Sequence, residues 1–380
     1  MNKMSKREYL IELKKKYRKA GKKQKGQLLN DFCDFTQYKR KSALRLVNNP
    51  LPPKWKRIRT REKKYDQETI KALKFLWRAT GEICAERFHP FIGEMLKCLE
   101  DCGEITFNDE IKQKLLEISM ITVKRIIGST KRRSITKIGG LTKPGSLLKN
   151  QIALRFGPWE QEEPGYFETD TVHSGGDISG EFIYSLNTID IASGWSEQAA
   201  IWGKSEKATS EQMDKIRQRL PFAMKGLDPD NGGEFINYQM HRYCKKHGIS
   251  LTRSREYHPN DQAHIEQKNY TAVRLLIGYG RLDKKSQQAL LNDLYENEWR
   301  LFLNFFQPTM KLKKKIKNLE TGKSKKTYYK AQTPYRRLMK SEHVSNDQKL
   351  MLESTYRMLN PVKLRHEIDR RIELIRRALK

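Results

Sequence analysis

The sequence predicts an α/β core built on a five-stranded mixed sheet, preceded by an all-α helix-turn-helix region and followed by a basic, mostly helical C-terminal region. Three observations carry this expectation. Residues 165–203 hold three short segments rich in aromatic and β-branched residues, separated by glycine turns at hairpin-like spacing. Residues 204–255 then alternate helical and strand-like segments, the pattern of crossover connections. Residues 4–48 and 67–130 instead show helical periodicity.

From the N-terminus, KREYLIELKKKYRKA is an amphipathic helix, and KGQLLNDFCDFTQYKRKSALRLVNN reads as two short helices with a turn near Thr36-Gln37. The last of these presents Lys39, Arg40, Lys41 and Arg45 together. NPLPPKWKRIRTREKK (49–64) is proline-rich, then basic, and reads as a linker or an arm. In FNDEIKQKLLEISMITVKRIIGST, Asn108 or Asp109 caps one helix and Ile121-Thr122-Val123-Lys124-Arg125 opens another after a short turn. A small helical bundle would give the same pattern. Gly-Gly and Pro-Gly breakers within 131–152 mark a boundary, so the expected divisions are 1–60, 61–150, 151–310 and 311–380.

In the core, GYFETDTVH, EFIYSLNTIDIA and GWSEQAAIWG are antiparallel strands. KSEKATSEQMDKIRQRLP is a helix, FAMKGLD a strand, EFINYQMHRYCKKHG a helix ending at Gly248, and ISLTRSR the fifth strand. EYHPNDQAHIEQKNYTAVRLLIGYGR then brings Ile265, Ala272, Val273 and Leu276 to helical spacing, with Glu266 at the edge of that stripe. Beyond the lysine run KLKKKIKN (311–318), LRHEIDRRIELIRRALK places Leu364, Ile368, Ile372 and Ile375 on one face. That helix is expected to bind DNA, to join protomers, or to lie solvated on the surface.

The chain of 380 residues carries 76 Lys+Arg against 45 Asp+Glu, a formal charge of +31. Such an excess points to a polyanion, because Lys and Arg that neutralise phosphates release condensed counterions. The charge is segregated: +21 over 1–150, −4 over 151–310 and +14 over 311–380. Basic flanks around an acidic middle suit DNA-gripping ends about a site that collects carboxylates. The partner expected is double-stranded DNA, with Lys39, Arg40, Arg45, Lys124 and Arg125 as candidate contacts. Cys33, Cys84, Cys98, Cys102 and Cys244 form no CxxC pair, which argues against a zinc finger. Together with the lack of a secretory or membrane-spanning apolar run, this leads to the expectation of a cytoplasmic protein.

Three acids stand out by position. Asp170 lies inside the first core strand, where a charge needs a partner or a cation. Asp230 follows the fourth strand, in the run LDPDNGGEF, and Glu266 lies on the long helix with 35 residues between it and Asp230. With the first strand central and the fourth beside it, the two aspartates meet at one edge. Three hard oxygen ligands suit Mg²⁺ or Mn²⁺. Asp228 is a rival on the same strand face as Asp230. Glu168 reads as a solvated acid or a support to the metal ligands, Asp190 as a turn or second-strand residue, and Glu234 as favouring the next helix through its dipole. His173, His258 and His264 lack the partners of a zinc site and read as surface or DNA-side residues.

FETDTVHSGG, NTIDIASGW, GLDPDNGGEFIN and YHPNDQAHIEQKN together resemble the catalytic core of the retroviral-integrase and DDE transposase superfamily, closest to bacterial insertion-sequence transposases. The resemblance covers roughly 155–310. It implies an RNase H-like fold, two divalent ions, no covalent protein–DNA intermediate, and a triad of Asp170, Asp230 and Glu266. The family pattern puts the second ligand in Asp-Asn-Gly, which favours Asp230 over Asp228. No His-His-Cys-Cys zinc domain precedes residue 155. Where relatives place a Lys or Arg one or two turns after the catalytic Glu, the nearest cations here are Lys268 and Arg274. The implied activity is DNA cleavage and strand transfer by at least a dimer on DNA, in a bacterial, nucleoid-associated protein. The alternatives are a metal-dependent nuclease of the same fold without strand transfer, or an inactive DNA-binding regulator.

Overall fold

A computed structural model describes residues 3–51, 64–128, 130, 152–154, 161–173, 180–230, 232–253, 263–317, 322 and 324–378. They divide into two compact units, Met1–Lys64 and Tyr65–Lys380. Most of the 49–64 arm, most of the 131–152 boundary, Asn231 and His258 lie outside the described residues.

The first unit is helical: α1 (Lys3–Lys19), α2 (Lys22–Thr36) and α3 (Arg40–Asn48). Leu10, Leu13, Leu29, Phe32, Ala43 and Val47 supply its small core. Helix α2 stops where the sequence suggests a turn, because Gln37 takes a left-handed φ of 62° and donates its N–H to Cys33 O at 2.7 Å. Lys39, Arg40, Lys41 and Arg45 are all exposed.

The second unit opens with α4 (Gln67–Ala79), α5 (Ala85–Phe88), α6 (Ile92–Asp101), α7 (Asp109–Leu116) and α8 (Met120–Gly128). Asp66 caps α4 by accepting Thr69 N–H at 2.7 Å, and Asn108 caps α7 by accepting Ile111 N–H at 2.8 Å. Leu73, Trp77, Phe88, Met95, Leu99 and Val123 bury the apolar faces of this group.

A six-stranded sheet follows: β1 (Ala153–Leu154), β2 (Tyr166–His173), β3 (Ile183–Asp190), β4 (Ser196–Trp202), β5 (Gly226–Pro229) and β6 (Ser250–Arg253). The spatial order is β1-β6-β5-β2-β3-β4, with β2, β3 and β4 antiparallel and β2, β5, β6 and β1 parallel. Five strands are those expected, in the mixed arrangement of an integrase-like, RNase H-like core. The sixth, β1, is two residues long and so carries no periodic signal. Helices α9 (Glu206–Gln218) and α10 (Tyr238–Lys246) make the crossovers on either side of β5. Helix α10 starts later than the sequence suggests, because Asn237 caps it by accepting Met240 N–H at 2.8 Å. Gly165 sets the entry to β2. Its φ is +123°, and a Cβ there would lie 2.6 Å from Ala223 O.

Helix α11 (Ala263–Lys268) continues through a π-helical turn, Asn269–Arg274, into α12 (Leu275–Ile277) and stops at Gly278, whose φ is 78°. Ile265, Ala272, Val273 and Leu276 are buried as expected. Next come α13 (Lys285–Leu294), a second π-helical turn at Tyr295–Trp299, and α14 (Arg300–Phe306). Buried Glu197 on β4 ties this layer to the sheet. It accepts Arg219 Nε at 2.7 Å, Arg300 Nε at 3.0 Å and Trp195 Nε1 at 2.9 Å.

The lysine run departs from the helical expectation. β7 (Leu312–Lys317) pairs antiparallel with β8 (Ser324–Tyr328), and a two-stranded ribbon tolerates exposed lysines along its faces and edges. Then α15 (Pro334–Lys340), α16 (Asn346–Met358) and α17 (Pro361–Arg377) close the fold. The α17 stripe is neither a docking face nor solvated, since Ile368, Ile372 and Ile375 are buried within the chain's own core. That hydrophobic cluster runs from Ala72 to Ile375 and crosses both sequence boundaries at 150 and 310. Among the described residues no helix is long and apolar enough to cross a membrane.

Candidate active site

Parallel pairing of β2 and β5 builds the site. Thr169 faces Pro229, so the next residue along each strand is an acid, Asp170 on one and Asp230 on the other. Asp170 accepts Asn269 Nδ2 on Oδ2 at 2.6 Å and Thr171 N–H on Oδ1 at 2.7 Å. Burial nevertheless raises its pKa. The Asn269 and Thr171 hydrogen bonds and the Lys204 charge oppose that shift, and the Glu234 charge adds to it. Asp230 accepts Gly232 N–H at 2.9 Å and is pushed up to about 7, first by burial and then by the charges of Asp170 and Glu234. Gly232 leaves room for the two acids on either side of it. A Cβ on Gly232 would sit 2.7 Å from Glu234 Oε2 and 2.8 Å from Asp230 Oδ1.

Glu234 departs from its expected role. It lies four residues before α10, too far to act on the helix dipole, and turns inward instead. There it accepts Thr171 Oγ1 at 2.6 Å and Lys204 Nζ at 2.7 Å, and is 5% exposed. Lys204 also lies 5.2 Å from the ring centre of Tyr184. Glu168 is not a solvated acid. It is fully buried and accepts Ile265 N–H at 2.9 Å, tying β2 to the first turn of α11. Asp228 is buried and accepts Thr252 Oγ1 at 2.7 Å, which gives it a partner on β6. Asp190 serves the β3–β4 turn, as expected, by accepting Gly165 N–H and Ser193 N–H, each at 2.7 Å.

Glu266 lies on α11 one turn before Asn269, on the same side of the helix, and is largely exposed. Partial burial alone raises its pKa. The structure thus brings Asp170, Asp230 and Glu234 into one electrostatic group and leaves Glu266 outside it, with no charge of the group acting on its carboxyl. Among the described residues no three His, Cys, Asp or Glu side chains converge closely enough to enclose a metal ion. The Asp170–Asp230 pair still fits one chemically: two half-buried carboxyls whose ionised forms repel each other are the oxygen donors a hard divalent cation relieves.

The expected DNA contacts divide. Arg125 is exposed, and Lys124 is exposed but paired with Glu86 at 2.7 Å. Arg274 is half-buried with its guanidinium 4.7 Å from the Tyr279 ring centre. Lys268 departs from expectation. It is 5% exposed because its position falls on the inner face of α11, and burial plus the charges of Arg87 and Arg337 lower its pKa to about 7. His173 ends β2, and His264 borders the same cavity as Lys268. Sequence reasoning missed Lys204, Asn269 and the inward turn of Glu234. Only Asn269 left a trace, three residues after Glu266 and so on its helical face.

Comparison with known proteins adds four findings. The model of the integrase core domain matches residues 160–259, which includes Asp170 and Asp230 and ends before Glu266. The uncharacterized protein y4rM of Sinorhizobium fredii is 35% identical over 321 residues, covering 83% of this chain and 90% of that protein. Among solved structures, the catalytic core domain of BIV integrase is 18% identical over 47% of this chain and 96% of that one, with a TM-score of 0.30. A simian T-cell lymphotropic virus intasome in complex with PP2A regulatory subunit B56 gamma is 14% identical, covering 51% and 63% of the two chains, with a TM-score of 0.31.

Proposed function

This chain belongs to the same family as y4rM and carries an integrase core domain, and on that premise we propose a transposase that binds transposon-end DNA and catalyses strand cleavage and strand transfer through Asp170, Asp230 and Glu266. The observation that carries the reading is the convergence of Asp170 and Asp230 at adjacent strand ends, inside the matched domain.

These carboxylates would hold two Mg²⁺ or Mn²⁺ ions. When bound, such ions would supply stabilisation of the attacking and leaving oxygens of an in-line displacement at phosphorus. The protein's own residues prepare the place. Asn269 and the Thr171 N–H fix both oxygens of Asp170, and the Gly232 N–H fixes Asp230. Lys204 and Thr171 Oγ1 engage Glu234, so that its charge repels the aspartates less. Glu168 anchors the first turn of α11, the helix that carries Glu266, and Glu266 would complete the ligand set on this reading. Water first opens a strand at the element's end, and the 3′-hydroxyl released then attacks a target phosphodiester. Lys39, Arg40 and Arg45 in the first unit, with Lys124 and Arg125 in the second, contact the DNA. Pairing two ends calls for at least a dimer, working at the bacterial nucleoid in the cytoplasm.

The test incubates purified protein and Mg²⁺ with a labelled duplex of the inverted repeat that flanks its gene, beside Asp230→Asn. The wild type should nick the end and join its 3′-end to a second duplex, while the variant binds without cutting. Hydrolysis without joining would replace this reading with a nuclease. Binding by both and cutting by neither, in Mg²⁺ or Mn²⁺, would leave a DNA-binding regulator.

A further inference from the structure

On the inner side of α11 lies a cavity of about 190 Å³, bounded by α5, the β3–β4 turn, α11, the 309–311 segment and α15. Arg87, Lys268, Lys311 and Arg337 all line it, and the carboxylate of Asp190 is the one acid on its wall among the described residues. None of Asp170, Asp230, Glu234 or Glu266 reaches it. Such a concentration of positive charge inside a fold needs a physical account, because buried ammonium and guanidinium groups are costly without counter-charge.

Among the described residues the charges of Asp190 and Glu162 act on Lys311, but the hydrogen-bond partners of these cations supply little further counter-charge. Arg337 donates Nη1 to Ser193 O at 2.9 Å and to Thr309 Oγ1 at 2.7 Å, and Nη2 to Thr309 O at 2.5 Å, all of them neutral acceptors. Lys311 donates to the backbone carbonyl of Ala192, leaving two of its three N–H groups unspent. Asp190 turns both oxygens to its own neighbourhood, Oδ1 to Gly165 N–H and Oδ2 to Ser193 N–H and Oγ. Among the described residues Lys268, 5% exposed, has no hydrogen bond or ion pair, and neither has Arg87. Two lysines and two arginines thus face one satisfied carboxylate across a space smaller than the roughly 300–1,000 Å³ of drug-sized ligand pockets.

The geometry points to a phosphate-binding pocket, in which Lys268, Arg87 and Lys311 bind the oxygens of one phosphate group from Arg337's side of the sheet edge. A single tetrahedral dianion suits the volume and takes donors from several directions at once. Guanidinium forks match phosphate oxygens, and ammonium groups add point charge. The phosphate belongs either to a nucleic-acid backbone or to a small phosphate-bearing molecule. The inference is independent of the strand-transfer reading, since the pocket lies apart from the proposed metal ligands.

The test is a thermal melt of the full chain in sodium phosphate against sodium chloride at matched ionic strength, for the wild type, Lys268→Met and Arg87→Met. The wild-type midpoint should rise steadily with the logarithm of phosphate concentration. Either variant should lose most of that rise, and Arg87→Met keeps the test open should Lys268→Met fail to fold. A rise of equal size in the wild type and a folded variant, or no rise in the wild type, overturns the proposal. Duplex binding across a salt series then identifies the source. If a backbone phosphate occupies the pocket, the variant's slope of log K against log salt is shallower by about 0.9. If a small molecule does, the slope is unchanged while the phosphate-dependent rise is still lost.

Discussion

Replacing Asp230 with Asn should stabilise the metal-free protein at alkaline pH, and the structure sets the scale. The folded-state pKa of Asp230 stands at about 7 against an ordinary value of 3.8. A group whose folded pKa lies above its unfolded one favours folding fully only below the unfolded pKa. That contribution is lost as pH climbs from about 4 to about 7. The difference of roughly three units, at 1.36 kcal/mol each, sets a ceiling of about 4 kcal/mol above pH 7. Part of the repulsion is shared with Asp170, so a gain on the order of 2 kcal/mol is expected for Asp230→Asn at pH 8 in EDTA. The assay is a denaturant or thermal melt of both proteins at pH 8 and at pH 5.5. In a protein of this size that gain should move the midpoint by roughly 2–3 °C. The variant's advantage should shrink at pH 5.5, where the wild-type carboxyl is largely protonated, and Mg²⁺ at pH 8 should stabilise the wild type more than the variant. An equal or lower midpoint for Asp230→Asn at pH 8, or an advantage that does not change with pH, would refute the claim that Asp230 is held against its electrostatic preference.

Gly232→Ala should abolish cleavage while costing under about 1 kcal/mol of stability, because its Cβ meets the movable ends of Glu234 and Asp230 rather than backbone; melts run beside cleavage assays check both halves. Glu197→Ala should destabilise by about 3–5 kcal/mol, since it strands Arg219 and Arg300 in the interior; chemical denaturation measures it, and a loss below 1 kcal/mol counts against the network. Ile368→Ala should cost about 2–5 kcal/mol if α17 belongs to the core, whereas a helix held only by partners would leave the monomer's midpoint unmoved.

What could be read from the sequence follows the range of the forces involved. Strand and helix periodicity is local, so the five long strands, the buried stripe of Ile265, Ala272, Val273 and Leu276, and the turn at Thr36-Gln37 could be placed from residue type alone. The pairing of β2 with β5 was accessible too, because only a few topologies fit the order of elements, and it set Asp170 beside Asp230. Local signals failed where a residue's role depends on distant chain. Glu234 looks like a helix-start acid until Lys204, thirty residues earlier, reaches it. Lys268 looks like a DNA contact until the inner face of α11 is seen to bury it. The stripe of α17 looks like an interface, because nothing in those residues reveals the surface of α13 and α14 waiting for it.

The neutral and charged neighbours of the acids are distributed in a way that favours cation capture. Asp170 is held by an amide and a backbone N–H, which orient it without cancelling its charge. Among the described residues Asp230 is held by a backbone N–H alone. The ammonium of Lys204 bonds instead to Glu234, the acid outside the family's pattern, and acts on the two aspartates only at longer range. Had Lys204 paired with Asp170, the site would be internally neutralised and a divalent ion would have to displace a buried salt bridge. With the cation on Glu234, the two aspartates stay repelled and oriented. Burial raises both pKa values, and for Asp230 the charge of Asp170 adds to it, a shift that a bound cation would oppose.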